Sequence, residues 1–400
     1  MNEEDPTLTI ARLAARVARL EELLAERSRA FRVLAETACD EDLEALLLIA
    51  AGLLLPSRSG VGAPRGPGLR SSRSRDADPV PPPPNTSKVT DAEVRLVGPI
   101  LQRLIWADRS TRARVEEYGA TVVPTNFYSN TPSIAEINRS YEYAGHTPPY
   151  LTASLFVRTT LGPTLKALDE YSAEFDPPLD GDATDCTRFF WRNTQFSYSD
   201  AMAYYCFVRL LRPKAIIEIG GGFSTLVALE AARKNGVGSV TCIEPFPRPF
   251  LERNNQILLK RLRAEAIDAD FLNQSLADGD ILFIDSTHTV KTGSDCLHIY
   301  LRLLPHLQRK IYIHVHDVFL PFGMPIGWLL DKQIFWTEQY LLLALITDNP
   351  KVKVLYGSAY HQYANSKELN KLMKNKYPAG GGSFWFEYNG RMNDREQPER

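Results

Sequence analysis

Ala215-Ile216-Ile217-Glu218-Ile219-Gly220-Gly221-Gly222-Phe223-Ser224 is the stretch on which the fold turns. The apolar, largely β-branched start predicts a strand, the three glycines a sharp turn, and the pattern from Thr225 to Lys234 a helix. Strand, glycine turn and helix in that order make a nucleotide-binding α/β unit. The glycines let a ligand approach where a Cβ would collide, and the helix start leaves N–H groups free. A dinucleotide fingerprint, G-x-G-x-x-G, needs a third glycine to pack the helix on the strand. Gly220 and Gly222 fit that spacing, but the third position is Thr225. What stands instead is an acid two residues before the first glycine, Glu218, giving E-x-G-x-G. A second acid, Glu244, closes the next apolar strand, Ser239 to Ile243, where a carboxylate can accept hydrogen bonds from both ribose hydroxyls. NAD enzymes place an acid similarly, so Glu244 alone does not decide the class. Without a ligand, either acid is simply a solvated strand-end residue.

The E-x-G-x-G segment resembles the first motif of class I S-adenosylmethionine (AdoMet)-dependent methyltransferases. In that family the acid sits near the ligand's charged amino-acid end. The resemblance implies a cofactor-binding set of Glu218, Gly220, Gly222, Ser224 and Glu244.

The chain has 400 residues, more than one typical domain, and suits one large domain with additions. Its 44% hydrophobic content is ordinary for a globular protein. A net charge of -2 gives no general pull towards nucleic acid or anionic lipid. The five cysteines lack C-x-x-C spacing, so neither a zinc site nor a disulfide framework is indicated. The acidic N-terminus lacks an early apolar run, and the longest such run, Ala45 to Leu55, is too short to span a bilayer. A cytoplasmic enzyme is expected.

Residues 1–55 read as helical. Ile10, Leu13, Val17, Leu20, Leu24, Phe31 and Leu34 follow steps of three and four, broken at Arg27. That seam predicts either a coiled coil making a homodimer through residues 10–34 or a helix packing on its own chain. Residues 56–89 are rich in Gly, Pro, Ser and Arg and predict a disordered linker. Residues 90–200 form a helical lead-in, with helices at 91–106, 133–144 and 150–176, and one crossing its end at 200–211. Its aromatic loops, Val122–Ser129 and Arg188–Asn193, either cover a ligand as a lid or only bury area.

From 201 to 390 strands and helices alternate, which implies a parallel sheet covered on both faces. Strands are expected at 215–219, 239–243, 265–268, 280–284 and 310–315. Helices are expected at 224–235, 248–263, 294–304 and 332–347. Two final strands, 352–356 and 383–388, suit a closing antiparallel pair, and residues 391–400 are a tail. A seven-stranded Rossmann-like methyltransferase sheet ends in such a pair, so the resemblance extends to the order of elements.

Ligands in open α/β sheets bind beyond the carboxyl ends of the strands. The fourth strand ends in Asp285-Ser286-Thr287-His288, and the fifth carries His314 and ends in His316-Asp317-Val318. Asp285 and Asp317 suit the oxygen ligands of a hard divalent cation such as Mg²⁺. Methylating a hydroxyl requires lowering its pKa and removing its proton. His288 is the candidate base, because an imidazole titrates near working pH. The alternative is that these side chains only fix local turns. His314 is expected to face away from His316 and to be structural.

The string Phe283–His288 with Lys291-Thr292-Gly293-Ser294-Asp295, followed by His316 to Pro321, resembles bacterial class I methyltransferases found beside natural-product and sugar-modifying genes. Asn126–Ser129 and Gly382–Trp385 resemble them too, and the likeness spans about residues 110 to 390. The resemblance implies O-methylation of a small polar or sugar-like hydroxyl, with Asp285 and Asp317 as metal ligands and His288 as base. Val318 departs from it, standing where metal-dependent relatives carry a second ligand. Two other readings stay open: a catalytically silent methyltransferase-like scaffold, and a nicotinamide-dependent oxidoreductase, which Thr225 and the closing strand pair disfavour.

Overall fold

The computed structural model describes residues 88–391 apart from 183, 184 and 186. The expected helix and heptad seam within residues 1–55, most of the linker and most of the tail lie outside the described residues. Elements are numbered here in chain order. The lead-in contributes α1 (Asp91–Ile105), α2 (Arg109–Glu116), α3 (Ile134–Asn138), α4 (Arg158–Ser172) and α5 (Tyr198–Leu211). The sheet domain follows as β1 (Ala215–Ile219), α6 (Phe223–Asn235), β2 (Ser239–Ile243), α7 (Pro249–Glu252), β3 (Ile257–Lys260), α8 (Ala269–Ser275) and β4 (Ile281–Ile284). It continues with α9 (Asp295–His298), β5 (Lys310–Val315), α10 (Ile326–Leu330), α11 (Glu338–Ile346), β6 (Val352–Gly357), α12 (Ser358–Ala364), α13 (Ser366–Leu372) and β7 (Phe384–Asn389).

The seven strands form one sheet in the order β3-β2-β1-β4-β5-β7-β6. β1 to β5 run parallel, and β7 pairs antiparallel with both β5 and β6. The order reverses between β1 and β4, and the crevice outside their carboxyl ends is where ligands of open α/β sheets bind. This is the Rossmann-like methyltransferase sheet with its closing antiparallel pair.

Side-chain alternation divides the core into two layers. Ile216, Ile281, Phe283 and Trp385 pack with α4, α5 and α6 on one face. Ile217, Ile219, Leu282, Ile284, Ile313 and Val315 pack with α11 and the 295–307 segment on the other. His314 and His316 share the first face, their ring centroids 6.3 Å apart, and Phe196 touches both. The expectation that they face opposite ways is therefore wrong, because residues two apart on a strand point the same way. His314 is nonetheless structural: it is buried, stacks on Trp385 at 4.4 Å, and pairs through Nε2 with the Ser383 hydroxyl at 2.8 Å.

The third strand also differs from expectation. The apolar residues between 248 and 263 read as one helix, but only α7 forms, and a turn follows in which the Asn254 side chain accepts from the Gln256 N–H. Ile257–Lys260 then pairs with β2. The segment expected as a strand at 265–268 is a 3₁₀ turn, Ala264–Ala266, running into Asp268, whose carboxylate caps α8 at the Phe271 N–H. An edge strand of four residues carries too little alternation to be told from a helix face.

In the lead-in, α1 and α2 contain no buried residue. Phe127 and Tyr128 are exposed rather than folded over a cavity. The second aromatic loop behaves differently: Phe189, Phe190 and Trp191 are buried against α5 and α6. No helix of the described residues is long and apolar enough to cross a membrane.

Candidate active site

β1 enters the glycine turn with Gly220 at φ +85°, a conformation glycine adopts freely. A Cβ there would lie 1.8 Å from the Asp285 carbonyl oxygen. The Gly220 N–H donates to the Ile243 carbonyl at 2.9 Å, and the Asp285 N–H donates to the Ile219 carbonyl at 2.8 Å. The turn thus locks the ends of β1, β2 and β4 together. At Gly222 an added Cβ would meet no protein atom within 4 Å, so that position is open to a ligand.

Glu244 follows β2 and is held beside this turn: its carboxylate accepts from the Gly221 N–H at 3.3 Å and the Phe246 N–H at 2.8 Å. Gly221, Gly222, Ser224 and Glu244 all line one cavity of ≈ 950 Å³. Glu218 does not. It is fully buried beneath the turn, and its carboxylate accepts from the Tyr204 hydroxyl at 3.0 Å and from the Thr225 hydroxyl. Glu218 thus lies beneath the turn rather than on the cavity surface. Thr225, the residue that breaks the dinucleotide fingerprint, ties Glu218 to the Gly222 N–H, which donates to the same hydroxyl at 3.3 Å.

Burial pushes the Glu218 carboxyl up to about 7, against the hydrogen bonds from Thr225 and Tyr204, with the Asp285 charge adding to the rise. A carboxyl that protonates more easily folded than unfolded stabilises the protein fully below its unfolded pKa. That stabilisation is lost as pH rises through about 7. At about 1.4 kcal/mol per pH unit the loss between pH 4.5 and 7 is roughly 3 kcal/mol. Glu218→Gln, which keeps an acceptor but cannot ionise, is expected to remove that part of the decline. Thermal unfolding across this range checks it, and parallel profiles for the two proteins would refute it.

The same cavity is also lined by an imidazole–carboxylate cluster. His288 Nε2 lies 3.1 Å from Asp285 Oδ1 and 3.8 Å from Asp317 Oδ2, and Nδ1 lies 2.7 Å from Glu338 Oε2. The other Glu338 oxygen accepts from the Tyr300 hydroxyl at 2.8 Å. The His288 carbonyl accepts from the Thr337 and Glu338 N–H groups, so the start of α11 fixes the loop after β4. Both His288 (φ +57°) and Asp317 (φ +54°) sit in left-handed backbone conformations, a cost found where structure over-determines a site.

Burial alone would lower the His288 pKa, but hydrogen bonds to Asp285 and Glu338 and the charges of Glu338 and Asp317 carry it up to about 10. Asp285 is held well below the usual carboxylate range: its burial acts the other way, and the His316 charge and His288 hydrogen bond outweigh it. Asp317 is raised by burial, with Asp285 and Asp200 adding to the rise.

Asp285, His288 and Asp317 each offer a donor atom, all within 4.8 Å of one another, a geometry that fits a metal ion. Val318 is buried in the core and offers nothing to it. Glu338 and Asp200 were not singled out by sequence reading. Asp200, from α5, accepts from the Gly382 and Ser383 N–H groups, each at 3.0 Å, and from the Ser358 hydroxyl at 2.9 Å. It also lies 3.4 Å from His316 Nε2. A Cβ at Gly381 would collide with its carboxylate, which accounts for that glycine of the Gly380–Gly382 run. Trp191 and Arg192 line the cavity, so this aromatic loop does border the site, together with Phe319, Trp328 and Trp336.

Residues 217–318 match the family model described as a methyltransferase domain. This match lies within the seven-stranded sheet domain, which is thereby similar in sequence to methyltransferase domains. An uncharacterized protein of Archaeoglobus fulgidus is 29% identical over 174 residues, 42% of this chain and 75% of that protein. Among solved structures, an O-methyltransferase of Bacillus cereus in complex with SAH shares 16% identity at a TM-score of 0.30, covering 56% of this chain and 90% of that one. A methyltransferase of Geobacter sulfurreducens shares 14% at 0.27, covering 56% and 90%.

Proposed function

We propose that the protein transfers a methyl group from AdoMet to a hydroxyl of a small polar or sugar-like acceptor. One observation carries this reading: the glycine turn with Glu244 and the His288 cluster open into the same cavity. Bound AdoMet would supply an electrophilic methyl on a sulfonium. Glu244 then accepts from the ribose hydroxyls, and the open backbone at Gly222 faces the ligand. In its neutral form the His288 ring takes the acceptor proton at Nε2 as the O–CH₃ bond would form and the S–CH₃ bond break in line. The surrounding carboxylates make that form the minor one until the pH passes about 10, so the rate should rise with pH towards that value. Glu338 holds the opposite ring nitrogen and so fixes the tautomer and direction of the base. Asp285 and Asp317 suit a divalent cation that would lower the pKa of the acceptor hydroxyl.

Calorimetric titration of AdoMet into the full chain tests the reading. Binding in the micromolar range is expected, and Glu244→Ala should weaken it by about tenfold or more, since two hydrogen bonds to a charged acceptor are lost. Absence of AdoMet binding, or binding of NAD in its place, would overturn the proposal.

A further inference from the structure

The imidazole beside Asp317 has an unexplained nitrogen. His316 is buried, and its Nδ1 makes no hydrogen bond. That atom lies 3.4 Å from Asp285 Oδ1 and 3.7 Å from Asp317 Oδ2. The two carboxylates offset its charge. A buried nitrogen that faces two carboxylate oxygens without a well-formed hydrogen bond nonetheless leaves room for an occupant that all three atoms can hold. His288 differs in this respect: both of its nitrogens have carboxylate partners within hydrogen-bonding distance, at 2.7 and 3.1 Å.

Metal–ligand bonds of about 2.1 Å place neighbouring donors about 3.0–3.4 Å apart. The spacings of His316 Nδ1 from the two carboxylate oxygens, 3.4 and 3.7 Å, are within a few tenths of an ångström of that. The outer face of the ring is also arranged for this, because Nε2 is directed to Asp200, itself pinned by the Gly382 and Ser383 N–H groups. A ligating histidine commonly gives its second nitrogen to such a carboxylate. The charges agree: among the described residues, the ion-pair partners of Asp200, Asp285, Asp317 and Glu338 are the imidazoles of His288 and His316, two rings for four carboxylates.

Building on the proposed methyltransferase reading, we infer that His316 Nδ1 joins Asp285 and Asp317 as a cation ligand, making a mixed nitrogen–oxygen site that selects a transition metal over Mg²⁺. His316 stands before Asp317 in the chain and takes the part that buried Val318, after it, cannot. Imidazole suits Co²⁺, Fe²⁺ and Zn²⁺, whereas Mg²⁺ prefers oxygen donors and retained water.

Co²⁺ is the probe, added to chelator-treated full-length protein and followed by its visible absorption. Saturable binding is expected, with Mg²⁺ in about 100-fold excess failing to displace it. His316→Ala should weaken Co²⁺ binding by about tenfold or more. His316→Asp should restore an all-oxygen set and let Mg²⁺ compete. Unchanged Co²⁺ affinity in His316→Ala, or displacement by equimolar Mg²⁺ in the natural protein, would overturn the inference. Parallel AdoMet titrations and melting curves keep the readings apart. AdoMet binding without Co²⁺ binding defeats the metal assignment and leaves the methyltransferase reading standing, while loss of both in a folded protein defeats both.

Discussion

Replacing His288 by alanine is expected to lower kcat for methyl transfer by about 10²–10⁴-fold, the usual contribution of a positioned general base. AdoMet affinity should change by no more than about threefold, because the His288 ring pairs with Asp285, Asp317 and Glu338 rather than with Glu244 or the glycine turn. The size of the effect follows from how firmly the ring is held. Glu338 grips Nδ1 at 2.7 Å and is itself fixed by Tyr300. Two N–H groups at the start of α11 hold the His288 carbonyl, and Trp336 covers the ring at 4.3 Å. A base so constrained loses little orientation entropy in the reaction, so alanine removes both the proton acceptor and its placement. Single-turnover rates with AdoMet saturating, beside calorimetric affinities, separate the two quantities. A drop below about threefold in the rate, or a loss confined to AdoMet binding, would remove His288 from the chemistry.

Much of this site was legible because its residues follow strand ends directly. β1, β2, β4 and β5 are apolar runs flanked by turn residues, and a doubly covered parallel sheet places whatever follows them at one crevice. Glu244, Asp285, His288 and Asp317 were found that way. Glu338 and Asp200 were not, because their partners are distant in sequence and neither stands at the end of a strand. Glu338 opens a helix whose preceding residues read as helix too, and Asp200 sits within α5 among buried apolar residues. Their one sequence signal is an acid in an otherwise apolar helix, and that pattern does not say which histidine it faces. Glu218 was legible as a residue of the turn, but its burial was not. The period of a strand gives the face a side chain takes, and only the packing of Tyr204 and Thr225 decided that its carboxylate turns inward.

Gly220→Ala should be the most damaging small substitution in the domain, with a loss of about 3 kcal/mol or more in folding stability and of measurable AdoMet binding. Two costs combine. The residue sits at φ +85°, which alanine adopts only with strain, and the new methyl would lie 1.8 Å from the Asp285 carbonyl oxygen. Neither can relax cheaply. The Asp285 N–H is bonded to Ile219 and the Gly220 N–H to Ile243, so moving the carbonyl means parting the ends of β1, β2 and β4. The same shift would carry the Asp285 carboxylate away from His288 and His316, which ties the glycine turn to the catalytic wall through one backbone contact. Gly222→Ala supplies the contrast. Its methyl meets no protein atom, so stability should stay within about 1 kcal/mol while the ligand loses its room. Urea unfolding and AdoMet titration on both variants make the comparison. Equal stability for the two would mean that the turn yields, and that Gly220 is kept for the ligand alone.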